Sequence, residues 1–362
     1  MSESNNRARL RAWLLDTAYD GVILGRRDNF KWLTGENENA VVTNTEVGMA
    51  FLIMERDGEL KLVADSSDSL RMEREQNVLG AEAVLVPWYE TVEHFLASYC
   101  EGKRYGSDRG VAHTSCIQEE LVSIRLLLNE TEVKRYREIG QECAEIVEGI
   151  VKEARPGQTE WEVAAKLKAR CILQGISPDC VLVGSDERIL DYRHPVPSDK
   201  VIRDSLMVVL GGEKYGLNIS MTRMAYFREA PKEIRSRMEK TRYIFACMQN
   251  MMRDGMEYRE YWEMLKKLYQ EAGYPEEWKM HHQGGPTGYG CRELIVKPAE
   301  EGVLRDGTAY AWNPTIQGTK CEETTYLKDG RVEIFTKTGG WPRRSVGTPY
   351  GELSVADILE QS

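Results

Sequence analysis

Residues 129–174 carry two capped helix starts separated by one hard stop, and this stretch limits the folds open to the chain more than any other. Asn129 is an N-cap residue followed by Glu130 and Glu132, whose negative charge suits the first turn of a helix that runs to about Ala154. Pro156-Gly157 breaks that helix. Thr159 then caps a second one, Glu160 to Gln174, with Glu162 three residues on completing a capping box. A mid-chain helix pair of this length marks a change of texture, and the segments on either side are read from it.

Upstream the chain alternates. Leu10, Trp13, Leu14 and Ala18 stand at helical spacing within Arg7 to Asp20, and Gly21 to Gly25 is a short buried-strand run. Met49 to Met54 and Leu60 to Ala64 flank the turn Arg56-Asp57-Gly58-Glu59 as a hairpin. A charged helix (Ser67 to Gln76), a strand (Ala83 to Val86), a helix (Val92 to Tyr99) and a strand at Arg104 to Gly106 follow. This is an α/β domain over residues 1–125. Downstream, strands at Val181 to Val183, Ser205 to Leu210 and Asn218 to Phe227 precede two helices, Lys232 to Arg253 and Tyr258 to Ala272. Strand-like pieces return at His281 to Val296, Ala309 to Asn313 and Cys321 to Leu327. Residues 126–362 thus read helix, helix, strands, twice over, which suggests an internal duplication. The boundary falls between residues 115 and 130.

Composition excludes several classes. With 362 residues, 41% hydrophobic and 29% charged, the chain is an ordinary globular protein too long for one core. A net charge of -10 argues against nucleic acid and anionic membrane as partners. The eight cysteines show neither a C-x-x-C pair nor zinc spacing, and so read as reduced thiols. The polar start, Met1 to Arg11, has no apolar core of a signal peptide, and no apolar run is long enough to span a bilayer. A cytoplasmic protein is expected.

The run His281 to Glu293 (HHQGGPTGYGCRE) gathers two imidazoles, an amide, a guanidinium and a carboxylate around four glycines. No packed core selects that mixture. Glycines admit close backbone approach and the polar groups bind or move protons, so the run belongs to a site. It is not a nucleotide loop, because no Gly-Lys-Ser or Gly-x-Gly-x-x-Gly after a strand accompanies it.

The order of elements resembles the creatinase, prolidase and aminopeptidase P family. The resemblance rests on Asp20 to Leu24 with Asn29 to Gly35, on Lys134 onward, on Arg155 to Glu160, and on Gly211 to Arg223 ending in Thr222-Arg223. It implies a creatinase-type amino-terminal α/β domain followed by a pita-bread (duplicated α+β) domain, in a homodimer. Catalytic relatives hold two divalent metals with two aspartates, a histidine and two glutamates. Matched position by position, these fall on Val209, Ser220, Gly285, Asn313 and Glu322, and only Glu322 keeps its ligand type. One carboxylate and an amide cannot hold a pair of hard dications. No metal and no other cofactor is expected, and the glycines around Gly285 read as space vacated by a metal and open to substrate.

The resemblance leaves the substrate shell largely in place. His194, in Tyr192-Arg193-His194-Pro195, matches a pocket histidine, and His281 matches one four residues before the lost ligand. Arg292 stands where a second pocket histidine is usual, and Lys320 replaces an arginine two places before Glu322. His194, His281 and Glu322 are therefore the expected catalytic groups, with His194 or His281 activating water and Glu322 protonating or anchoring. Arg292, Lys320, Glu293, Asn313 and Tyr289 are the expected substrate-binding groups. Adjacent strand residues face opposite ways, so His281 is expected in the pocket with His282 turned away, and Glu322 with Glu323 behind it. Arg292 and Glu293 pairing with each other is an equal alternative. The leading expectation is a metal-independent, creatinase-like hydrolase of a C–N bond in a small amino-acid-like, amidino or dipeptide substrate. The alternatives are a catalytically inactive module that binds a peptide or protein, and a metal-dependent Xaa-Pro peptidase with altered ligands.

Overall fold

The apolar run after Asp20 folds into the centre of a six-stranded sheet because Val22, Ile23 and Leu24 are inaccessible to solvent on both faces. The computed structural model describes residues 5–77 and 79–361 and divides into two compact units between Leu126 and Leu127.

The first unit contains α1 (Asn5–Leu15), β1 (Gly21–Arg26), α2 (Arg27–Thr34), β2 (Val47–Glu55), β3 (Leu60–Asp65), α3 (Ser69–Arg71), β4 (Glu82–Val86), α4 (Val92–Tyr99), β5 (Tyr105–Ser107), β6 (Ser115–Cys116) and α5 (Gln118–Arg125). Its sheet has the order β4-β3-β2-β1-β5-β6. The expected β2–β3 hairpin is present, with Ala50 facing Ala64 and Met54 facing Leu60. The first helix stops at Leu15, where the Thr17 hydroxyl donates to the Leu14 carbonyl. The charged helix is a single turn followed by a π-turn, Met72–Gln76.

The second unit opens with the expected helix pair, α6 (Glu130–Glu153) and α7 (Glu160–Leu173). Both capping boxes are formed, Asn129 with Glu132 and Thr159 with Glu162. It continues through β7 (Ser177–Ser185), α8 (Glu187–Asp191), β8 (Ser205–Lys214), β9 (Leu217–Tyr226), α9 (Lys232–Asn250), α10 (Tyr258–Glu271), β10 (Gly284–Thr287), β11 (Thr308–Trp312), β12 (Thr315–Ile316), β13 (Thr319–Lys320), β14 (Glu323–Lys328) and β15 (Arg331–Ile334). The last strands are β16 (Arg343–Thr348), β17 (Gly351–Ala356) and β18 (Leu359–Glu360). The antiparallel run β7-β8-β9 follows one helix pair and β10-β11-β14 follows the other, which is the duplication read from the sequence. The two sheets meet where β9 lies against β14: the Ser220 amide donates to Thr324 Oγ1 at 2.8 Å and the Thr222 amide to the Glu322 carbonyl at 3.2 Å.

One expected strand shrinks. Of His281 to Val296 only Gly284–Thr287 pairs, with Trp312 to Ala309 of β11, and the remainder is loop. All eight cysteines are free thiols. No helix of the described residues is long and apolar enough to cross a membrane.

Candidate active site

Ser220 and Thr222 are two apart on β9, so their side chains share a face of the sheet, and that face meets Glu322 at the entrance to β14. Glu322 is buried, and both of its oxygens are engaged. Oε1 accepts from Arg292 Nη2 at 3.0 Å and from Asn313 Nδ2 at 3.4 Å. Oε2 accepts from the Thr222 hydroxyl at 2.6 Å and faces Lys320 Nζ at 3.2 Å. Burial alone would raise its pKa, but Lys320 and Arg292 outweigh burial and bring it down to about 2. Glu322 is therefore a carboxylate at any working pH, which removes the proton-donor role expected for it and leaves the anchoring one.

Glu323 points the other way, as strand alternation requires. Its carboxylate accepts from Arg223, Arg343 and the Thr336 hydroxyl, and Arg223 also pairs with Glu148 at 3.1 Å. This buried network fixes β14 from behind.

The histidines correct the sequence reading. His281 and His282 precede β10 and belong to no strand, so period-two alternation does not apply to them. Their rings stack at 4.4 Å between centroids, and both approach His194. His194 Nε2 lies 2.9 Å from His281 Nε2. His194 is exposed, on the loop after α8, whereas His281 is only 7% accessible. Burial, reinforced by Lys320 and the neighbouring rings, lowers His281 from 6.5 to about 2; burial followed by Arg292 lowers His282 to about 4. His194 moves in the same direction through burial and Lys320. All three rings are neutral at pH 7.

Arg292 bonds to Glu322 and not to Glu293. Its Nη1 also donates to the Ser220 hydroxyl and to the Cys291 carbonyl, each at 2.7 Å. The Glu293 carboxylate accepts from the Gly290 amide at 3.0 Å and packs against Gly288, closing the loop. Tyr289 does not join the cluster: its buried hydroxyl donates to Glu132 at the start of α6 at 2.9 Å. Asn313 does join it, at the end of β11. Thr222 and His282 are the members that sequence reasoning passed over; the two-residue spacing from Ser220 was the available signal for Thr222.

The metal pair of catalytic relatives does not fit these residues. Val209 is packed in the apolar core, and Ser220 is a hydrogen-bond partner of Arg292. At Gly285 a Cβ would lie 2.2 Å from the Leu294 carbonyl oxygen, so the family's histidine has no room there. The glycine space expected to be open to substrate is filled by the chain itself. Glu322, the remaining ligand type, is held by the buried Lys320 and the half-buried Arg292.

Four polar atoms around the cluster have no hydrogen-bond partner: Nδ1 of His281, Nδ1 of His282, Nε of Arg292 and Oδ1 of Asn313. Buried groups of this kind are few in native proteins, and each keeps hydrogen-bonding capacity that the described residues do not use.

Residues 134–337 match the model of metallopeptidase family M24, and residues 7–139 match the creatinase/prolidase N-terminal domain. No curated protein matches the sequence. Among solved structures, the chain is similar to the prolidase from Pyrococcus horikoshii OT3 (TM-score 0.79, 18% identity, 92% of this chain and 99% of that one). It is also similar to the Xaa-Pro dipeptidase from Bacillus anthracis (0.78, 19%, 99% and 100%) and the X-Pro aminopeptidase from Thermotoga maritima MSB8 (0.74, 16%, 98% and 100%). At these identities the likeness establishes the fold.

Proposed function

Since the chain belongs to metallopeptidase family M24, we propose that it is a hydrolase of a C–N bond that works without the family's metal pair, on a small amino-acid-like, amidino or dipeptide substrate. The observation that carries this reading is the cation pair on Glu322, Arg292 at 3.0 Å and Lys320 at 3.2 Å, which engages the one residue that keeps the ligand type of the relatives' metal shell. Two fixed positive charges in a buried site stabilise a developing oxyanion or hold a substrate carboxylate. Arg292 Nε–H needs an acceptor and Asn313 Oδ1 needs a donor. An amide or amidine carrying a carboxylate supplies both.

In this reading His194 is the general base. With His194 Nε2–H donating to His281 Nε2, the free lone pair is on His194 Nδ1, and a neutral imidazole accepts a proton from water. Water oxygen bonds to the substrate carbon, the C–N bond breaks, and the proton held by His194 passes to the leaving nitrogen. Glu322 fixes the two cations and does not exchange a proton. The family's usual homodimer and a cytoplasmic setting complete the proposal.

The test is turnover of a panel of dipeptides and amidino amino acids by metal-stripped protein, with His194→Ala and Glu322→Gln beside it. The expected result is activity that survives chelation and is lost in both variants. Absence of turnover across the panel would favour an inactive binding module, and activity restored only by added metal would favour an Xaa-Pro peptidase with altered ligands.

A further inference from the structure

We infer that His194, His281 and His282 form a binding site for a single borderline divalent transition-metal ion of the zinc class, separate from the positions at which relatives hold their metal pair. One ring nitrogen from each histidine lies within 4.8 Å of the other two. Tetrahedral zinc with Zn–N bonds of about 2.0–2.1 Å places its ligand nitrogens roughly 3.4 Å apart. The 2.9 Å separation of His194 and His281 and the 4.8 Å outer limit bracket that value, so small side-chain rotations bring the three to one centre.

The site is built in advance. His281 and His282 are held in a stacked pair at 4.4 Å on one segment, and His194 approaches from the loop after α8. Nδ1 of His282 is buried without a hydrogen-bond partner, and an ion gives such an unused imidazole lone pair an acceptor, while His281 presents Nε2, the atom beside His194.

The donor set is all nitrogen. Glu322, the nearby carboxylate, has both oxygens committed to Arg292, Asn313, Thr222 and Lys320. Three imidazoles favour zinc, cobalt, nickel or copper over magnesium, calcium or manganese, and three protein ligands leave a coordination position open. The positive charges of Lys320 and Arg292 work against a dication, so affinity falls below that of sites with thiolate or carboxylate ligands. The inference goes beyond the proposed reaction and does not depend on it. Where the two meet, the ion ties up the imidazoles on which water activation relies and acts as an inhibitor.

The experiment is titration of the chelator-treated full chain with cobalt(II), read by its visible ligand-field bands, and with zinc(II), read by calorimetry. The expected result is a single ion per chain, with intense bands characteristic of a four-coordinate centre. His282→Ala removes the bands and weakens zinc binding about tenfold or more, and His194→Ala, at an exposed position, does the same if His282→Ala fails to fold. Glu322→Gln retains the bands. No bands and no heat with the parent chain would overturn the site, as would their loss in Glu322→Gln with retention in both histidine variants. The proposed reaction fails on a different result, loss of turnover on chelation, so the two readings fall separately.

Discussion

Replacing Arg292 by methionine keeps most of the side-chain volume while removing the guanidinium that joins Glu322, Ser220 and the Cys291 carbonyl. Holding the Glu322 carboxyl at about 2 in place of its ordinary 4.5 corresponds to about 3 kcal/mol of preference for the charged form, since each pKa unit is worth about 1.36 kcal/mol. Arg292 shares that work with Lys320 and the Thr222 hydroxyl. Removing one partner of a buried pair costs about 3–5 kcal/mol when the other charge is left alone. Lys320 remains at 3.2 Å, so the lower end, about 3 kcal/mol, is expected. In a Glu322→Gln background the same replacement removes only neutral-acceptor hydrogen bonds and costs about 1 kcal/mol. The coupling of about 2 kcal/mol is read by native-state hydrogen exchange of the slow amides in β9 and β14, among them Thr222, which donates to the Glu322 carbonyl. The pH dependence has a definite sign. A carboxyl lowered by folding stabilises fully above 4.5, and that contribution is lost as pH falls toward 2. In Arg292→Met the loss still begins near 4.5 but is smaller and is complete at a higher pH. Equal costs in the two backgrounds would refute the ion-pair account.

Three further outcomes follow from the same geometry. Gly285→His, which puts back the residue type that relatives use, is expected to lower the melting temperature and to restore no metal-dependent activity, because its Cβ meets the Leu294 carbonyl oxygen at 2.2 Å; a stable variant with metal-dependent turnover would contradict this steric exclusion. His281 and His282, lowered on folding to about 2 and about 4, stabilise fully above 6.5, and that contribution is lost as pH falls. The acid-unfolding midpoint of His281→Phe is therefore expected below that of the parent chain, and an unchanged midpoint would count against neutral buried rings. Tyr289→Phe removes the hydrogen bond to Glu132 and should cost about 1 kcal/mol in urea unfolding with turnover unaltered; a large loss of turnover would return Tyr289 to the substrate site.

The helix pair was legible because its signals are local. Caps at Asn129 and Thr159 and the break at Pro156-Gly157 act within a few residues; both caps formed as read, the capping box at Thr159 with them, and the structure adds a second box at Asn129. Glu322 and Glu323 divided as alternation predicts because they enter a paired strand. His281 and His282 did not, because they stop short of one, and the period-two rule holds only inside a ladder. Arg292 was legible as a site residue but its partner was not. The choice of Glu322 over Glu293 depends on β9 and β14 meeting, a contact between residues a hundred positions apart. The glycines misled for a related reason: at Gly285 the missing side chain makes room for the backbone at Leu294, which sequence spacing cannot reveal.

The central claim is that Arg292 and Lys320 on Glu322 take the place of the family's metal pair in C–N bond hydrolysis. It is tested most directly by stripping the full chain with chelator, confirming by elemental analysis that no stoichiometric metal remains, and measuring turnover on dipeptides and amidino amino acids. The account predicts turnover no lower than that of the untreated protein and its loss in Arg292→Met. Turnover abolished by chelation and restored by manganese, cobalt or zinc would contradict it.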